Sequence, residues 1–254
     1  MGIAETEQKT ARFSLLITMT RRRWIADETS GSRALLLGEH ARHLAQVLRA
    51  EIGQQFEISV EGHVHQGRIA AISPDRVEFE LGEPVFAPQP FQITVAISIF
   101  KFDRMEWAIE KCTELGVARI VPLIAARTEA HLASAAAKRV ERWRRIVQQA
   151  SEQSRRISPP RMDDPVKVRE FLVSPQNGTR VLLSEVEENA FRNLLTSSGP
   201  LTLAFGPEGG WKEQELAAFA KAGWKSASLG PTILRAETAV IASVAVATSL
   251  LGRP

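Results

Sequence analysis

Apolar positions change their period once along the chain. Between residues 21 and 83 they recur in short alternating runs: Phe56, Ile58 and Val60 sit between polar neighbours, Val64 to Ile72 follows Glu61-Gly62, and Val77, Phe79 and Leu81 follow Ser73-Pro74-Asp75. Side chains alternate faces along a strand, so this pattern predicts a small β-rich, barrel-like domain over 20–83. Glu39 to Arg49 interrupt it, and their spacing predicts a helix that turns Leu44, Val47 and Leu48 inward. Pro84, Pro88 and Pro90 then crowd one short stretch. Proline lacks the N–H that a helix or a central strand needs, so 84–90 is predicted to be a linker.

From residue 91 onward strands and helices alternate. Phe91 to Phe100 predicts a strand, and Phe102, Met105, Ile109, Cys112 and Leu115 recur at helical spacing before Gly116, a fitting helix stop. A strand at Ile120 to Ile124 precedes a helix marked by Val140, Trp143, Val147 and Ala150, whose other face is rich in arginine. Further strands are expected at Val181 to Ser184, at Leu201 to Phe205 and ending at Leu229. This succession predicts an α/β domain over 91–254, built on a sheet of substantial parallel character and covered by helices. Ala239 to Leu251 is apolar nearly all round, which predicts burial in the core or between subunits. Residues 1–19 show no sustained periodicity and are expected to be an extension, with Met19 an alternative start.

Composition narrows the class. Apolar residues make up 44% and charged residues 24% of 254, close to the globular average, which excludes disordered, collagen-like and disulfide-scaffold proteins. The single cysteine, Cys112, closes no intrachain disulfide and is expected in the core. The apolar run at 239–251 is too short to span a bilayer, and Ser14 to Met19 is too short for a signal peptide, so a cytoplasmic protein is expected.

Net charge is only +3, but residues 138–161 carry eight Lys or Arg against Glu141 and Glu152, a local surplus larger than the whole chain's. A second surplus lies in 21–49, at Arg21, Arg22, Arg23, Arg33, Arg42 and Arg49. Two such regions can bracket one polyanion, or each can be a solvated face.

Two loops carry candidate chemistry. Gly206-Pro207-Glu208-Gly209-Gly210 follows a strand and precedes a helix, and its three glycines let backbone approach a ligand closely. It is not the dinucleotide fingerprint, and Pro207 removes an N–H that would cradle phosphate. The second loop, Leu229 to Ala239, opens the apolar helix with Arg235 and Glu237 at its mouth. Ligands of open α/β sheets bind beyond the carboxyl ends of strands, so both loops can share one pocket. His63 and His65 share a strand face without a third ligand nearby, so no metal site is expected.

GPEGGW at 206–211, LGPTILRAETA at 229–239, KCTELGV at 111–117 and EQSRR at 152–156 resemble motifs of the small-subunit (16S) ribosomal RNA uridine-N3 methyltransferases of the SPOUT superfamily. RRRW at 21–24 and HLAQVLR at 43–49 resemble that family's N-terminal domain, although Arg23-Trp24 stands where paired phenylalanines are common. The resemblance implies a PUA-like β-barrel followed by an α/β trefoil-knot domain, a homodimer, and S-adenosylmethionine held by Gly206, Pro207, Glu208, Gly209, Gly210, Leu229, Gly230, Ile233 and Leu234. It implies as substrate a uridine near the decoding centre of 16S rRNA, and as RNA-binding residues Arg21, Arg22, Arg23, Arg49, Arg142, Arg145, Arg155 and Arg156. Uridine N3 carries a proton at neutral pH, so methylation needs that proton removed or the developing anion stabilised. Arg235 suits the anion, and Glu208 or Glu237 suits the proton. A related SPOUT enzyme acting on tRNA or a ribose 2′-hydroxyl, and a non-catalytic RNA-binding factor, are the alternatives.

Overall fold

The computed structural model describes residues 22–85, 91–175, 177–185, 187, 189–195 and 199–251. The expected extension at 1–19, Arg21 and most of the expected linker lie outside these residues. Residues up to Val85 together with Glu152–Ser158 form one compact unit, and those from Phe91 to Ser151 and from Pro159 onward form a second.

In the first unit a sheet runs in the order β1 (Trp24–Ile25), β4 (Gln55–Val60), β5 (His63–Ser73), β6 (Arg76–Val85), β3 (Arg33–Leu37) and β2 (Glu28–Ser30). Its neighbours are antiparallel except β1 and β4. The alternation read in the sequence is what buries Phe56 and Ile58 from β4, Ile69 from β5 and Val77 and Phe79 from β6 around Trp24 and Leu36. Glu61 and Gly62 both take positive φ, 46° and 81°, as a two-residue hairpin turn requires.

Three expectations need correction here. Strand β6 runs through Pro84 to Val85, beyond the expected domain end at 83. Its pairing with β3 stops at Glu80, so from there it has β5 alone beside it, and a strand with one neighbour tolerates a proline. Helix Gly38–Arg42 continues as a single π turn, His43–Val47, instead of an α-helix to Arg49. Leu48 N–H donates to His43 O, five residues back, and this slip leaves Leu44 buried but Val47 65% and Leu48 40% exposed. Glu152–Ser158, expected in the α/β domain, belongs to the first unit because Glu152 is buried beside Arg22 and His40, and Ser59 Oγ donates to Ile157 O.

The second unit has an all-parallel sheet in the order β10 (Val166–Lys167), β8 (Arg119–Ile124), β7 (Ile93–Ser98), β12 (Leu201–Phe205), β11 (Thr179–Leu183) and β13 (Lys225–Ala227), with β9 (Arg161–Met162) also on β8. Both faces are covered, so the strands read as continuous apolar runs. On one face Ile97, Val181, Leu203 and Phe205 join a core with helices Phe102–Glu114, Val140–Gln153 and Ala236–Leu251. On the other, Ala96, Leu182 and Ala204 meet Phe171, Trp211, Phe219 and Trp224. The final helix packs on Phe102–Glu114, burying Val240, Ser243, Val244 and Ala247 while Leu250 is exposed. Strand β13 ends at Ala227, two residues short of the expected Leu229, because Ser228 bonds the loop that leaves β11: its N–H donates to Asn189 O, and Phe191 N–H donates to its carbonyl.

Candidate cofactor and methyl-transfer site

Because the sheet is parallel, the loops leaving β11, β12 and β13 gather at one edge, and there they line a cavity of about 300 Å³. Ser184 and Glu185 follow β11, Gly206, Pro207, Glu208 and Gly210 follow β12, and Leu229, Gly230, Ile233, Leu234 and Arg235 follow β13. The two loops singled out in the sequence therefore line one cavity.

The glycine loop is built by short-range bonds. Gly210 N–H donates to Pro207 O at 2.8 Å, closing a turn that Gly210 completes at φ +70°. At Gly206 a Cβ would lie 3.1 Å from the indole nitrogen of Trp211, a contact tight enough that the indole would have to give way. Arg127, in the loop after β8, donates to Gly209 O at 2.6 Å. Glu215 accepts from Lys212 N–H at 3.0 Å and from Ala126 N–H at 2.9 Å, tying the following helix Glu213–Lys221 to the same loop.

Gly209 is not on the cavity wall, and its missing side chain faces Arg127. Glu237 stands apart from the cavity in the same way. Its side chain is buried in the first turn of the final helix and off the wall, whereas Glu208 is exposed on the wall. Glu237 Oε2 is buried without a hydrogen-bond partner among the described residues. Arg235 caps the final helix, its carbonyl accepting from Ala239 N–H at 2.9 Å, while its exposed side chain lines the cavity with no ion pair among the described residues.

Arg104 was not legible as a site residue. From the first turn of Phe102–Glu114 it reaches the cavity, where Nη1 donates to Glu208 Oε1 at 3.1 Å and Nε lies 3.7 Å from Glu237 Oε1. Arg127, Glu185 and Trp211 were missed as well. Their places depend on which strands become neighbours, and nothing in their local spacing reports that.

The expected RNA-binding arginines separate into two sets. Arg142 and Arg145 are exposed on the second unit, Arg142 paired with Glu106 at 2.8 Å. Arg22, Arg23, Arg49, Arg155 and Arg156 are on the first, so Arg155 and Arg156 do not continue the basic face of Val140–Gln153. Arg23 and Arg155 both pair with Glu57, at 2.9 and 2.5 Å, and Arg23 also donates to Arg155 O. Burial raises the Glu57 carboxyl, but the two guanidinium partners outweigh it and hold it below the usual range. Arg22 lies over the Trp24 ring, and burial pulls Arg156 down to about 10. Arg49 is exposed without an ion pair among the described residues. Cys112 is buried in the core and its thiol is pushed up to about 12 by burial. His65 bonds Gly82 O, and no group of three metal-ligating side chains is found among the described residues. No helix among them is long and apolar enough to cross a membrane.

Residues 87–248 match the family described as an RNA methyltransferase domain, and residues 36–82 match an RNA methyltransferase PUA domain. The ribosomal RNA small subunit methyltransferase E of Bacillus subtilis is 31% identical, over 85% of this chain and 91% of that protein. A crystal structure of the protein of that name from Neisseria gonorrhoeae, bound to S-adenosyl methionine, superposes with a TM-score of 0.81 at 31% identity, covering 90% of this chain and 97% of the other. A methyltransferase from Legionella pneumophila in complex with the bound cofactor SAM gives 0.78 at 27% identity, covering 91% and 97%. With its α/β unit and the PUA-like half-barrel before it both matched, the chain belongs to the ribosomal RNA small subunit methyltransferase E family, RNA methyltransferases of SPOUT-type fold.

Proposed function

We propose that the protein methylates N3 of a uridine in the decoding-centre region of 16S rRNA, with S-adenosylmethionine as donor. The observation that carries the reading is Arg235, a cation with no ion pair among the described residues, on the wall of the cavity that the two loops form. The cavity suits the cofactor: at Gly206 a Cβ would crowd the Trp211 indole, and Leu229, Ile233 and Leu234 give the lining an apolar part. Gly206, Pro207, Gly210, Leu229, Gly230, Ile233 and Leu234 would hold the cofactor, which supplies an activated methyl group. Arg235 stabilises the negative charge that develops on the uracil, since a guanidinium stays charged and donates from a fixed plane. Glu208, on the wall, is the better placed of the two carboxylates to take the N3 proton, and holding N3 in line with the methyl carbon adds a large share of the acceleration.

The working form is a homodimer joined through the mostly apolar final helix, and the exposed arginines of both units grip the RNA. Nucleoside mass spectrometry of 16S rRNA from a strain lacking the gene tests base and substrate together. The expected result is loss of one 3-methyluridine that the wild-type gene restores. An unchanged modification pattern would refute the reading.

A further inference from the structure

We propose that Arg104 is a positioning residue for the chemical step, acting through Glu208; the inference rests on the methyl-transfer reading above. Three elements meet at its guanidinium: the first turn of Phe102–Glu114, the glycine loop and the first turn of the final helix. Nη1 holds Glu208 at 3.1 Å and Nε faces Glu237 at 3.7 Å. A planar fork with donors on several edges can serve two acids from two elements at once in a fixed geometry.

The charge arrangement gives this contact its consequence. Among the described residues Arg104 is the one cation within 4.0 Å of either acid, and Arg235, on the same cavity wall, has no acid within that distance. Arg104 thus bonds Glu208, offsets the charge of Glu237 and leaves Arg235 free to face the base. Without Arg104 both acids lose their partner, Glu208 is released from its place, and the nearest wall cation for it is Arg235 itself. The cradle for the cofactor has separate supports, the Arg127 bond to Gly209 O and the turn from Gly210 N–H to Pro207 O, so it does not need Arg104.

Rate and cofactor affinity should therefore separate. Arg104→Gln is measured by calorimetry with S-adenosylmethionine and by single-turnover methyl transfer to purified small ribosomal subunits, alone and combined with Glu208→Gln. We expect affinity within twofold of wild type, transfer slowed tenfold or more, and a double variant no more than twofold slower than Glu208→Gln alone. Transfer at the wild-type rate, or a double variant that loses both factors in full, would overturn the proposal. So would an affinity loss that tracks the rate loss, since Arg104 would then be holding the cradle. A methyl group found on an atom other than uridine N3 counts against the preceding reading and leaves these comparisons valid, because they are read on the transfer rate itself.

Discussion

Gly206 and Gly209 stand three residues apart in one loop but face different surroundings. A Cβ on Gly206 would press on the Trp211 indole, whereas on Gly209 it would lie 3.4 Å from the Arg127 stem, an ordinary contact. Gly206→Val is therefore expected to abolish measurable binding of S-adenosylmethionine by calorimetry, and Gly209→Ala to change affinity less than threefold. Equal losses in the two variants would mean the loop is needed only for its flexibility. At Arg235 the question is chemical. Arg235→Lys keeps the charge and loses the planar fork, so single-turnover transfer with bound cofactor should slow tenfold or more, about 1.4 kcal/mol, with affinity nearly unchanged. Arg235 and Glu237 stand two residues apart, yet the structure gives Glu237 to Arg104. That partnership was not legible, because Arg104 is 133 positions from Glu237 and becomes its neighbour only when the two helices pack.

Elements were more legible than contacts. Strand β12 occupies the expected residues, and the helix Phe102–Glu114 stops before Gly116, which takes φ +92° as a helix stop favours. Period sets such features locally, within a turn or two of chain. What escaped were places where a neighbour decides: β6 carries Pro84 because β3 no longer flanks it, and the π turn rotates Leu48 outward although its spacing from Leu44 suits an α-helix. The loop after β8 belongs with these, since only the parallel sheet brings Arg127 to the glycine loop. Arg127→Ala removes a charge-assisted bond worth about 1.5–3 kcal/mol, and we expect cofactor affinity to fall roughly tenfold or more. Turnover at saturating cofactor should stay within about threefold of wild type. A variant with normal affinity and slow turnover would move Arg127 from the cradle to the chemistry.

At the scale of the molecule, two units carry different burdens. If exposed arginines of both grip RNA, reversing one on each should flatten the salt dependence. Arg49→Glu with Arg145→Glu is expected to weaken binding to small-subunit RNA and to lower the slope of log affinity against log salt by about one to two. Neither arginine has an ion pair among the described residues, so cofactor affinity and melting temperature should hold; an unmoved slope would make both solvated surface. Stability of the first unit should depend on pH through His40. The Asp27 side chain raises its pKa above 6.5, against burial, with Glu152 adding to the rise and Arg22 opposing it. A raised folded pKa stabilises fully below 6.5, and the contribution is lost as pH climbs through the folded value. The melting temperature of His40→Gln should therefore fall furthest short of wild type below pH 6.5 and approach it toward pH 8. A constant gap would instead reflect packing of the His40 ring against Trp24, 6.4 Å away. Glu152–Ser158 has a consequence in time: synthesis supplies residues 22–85 well before the segment that brings Arg155 to Glu57 and Ile157 to Ser59. A nascent half-barrel emerges with those places empty, and it reaches its final stability only after the helices Phe102–Glu114 and Val140–Gln153 have left the tunnel.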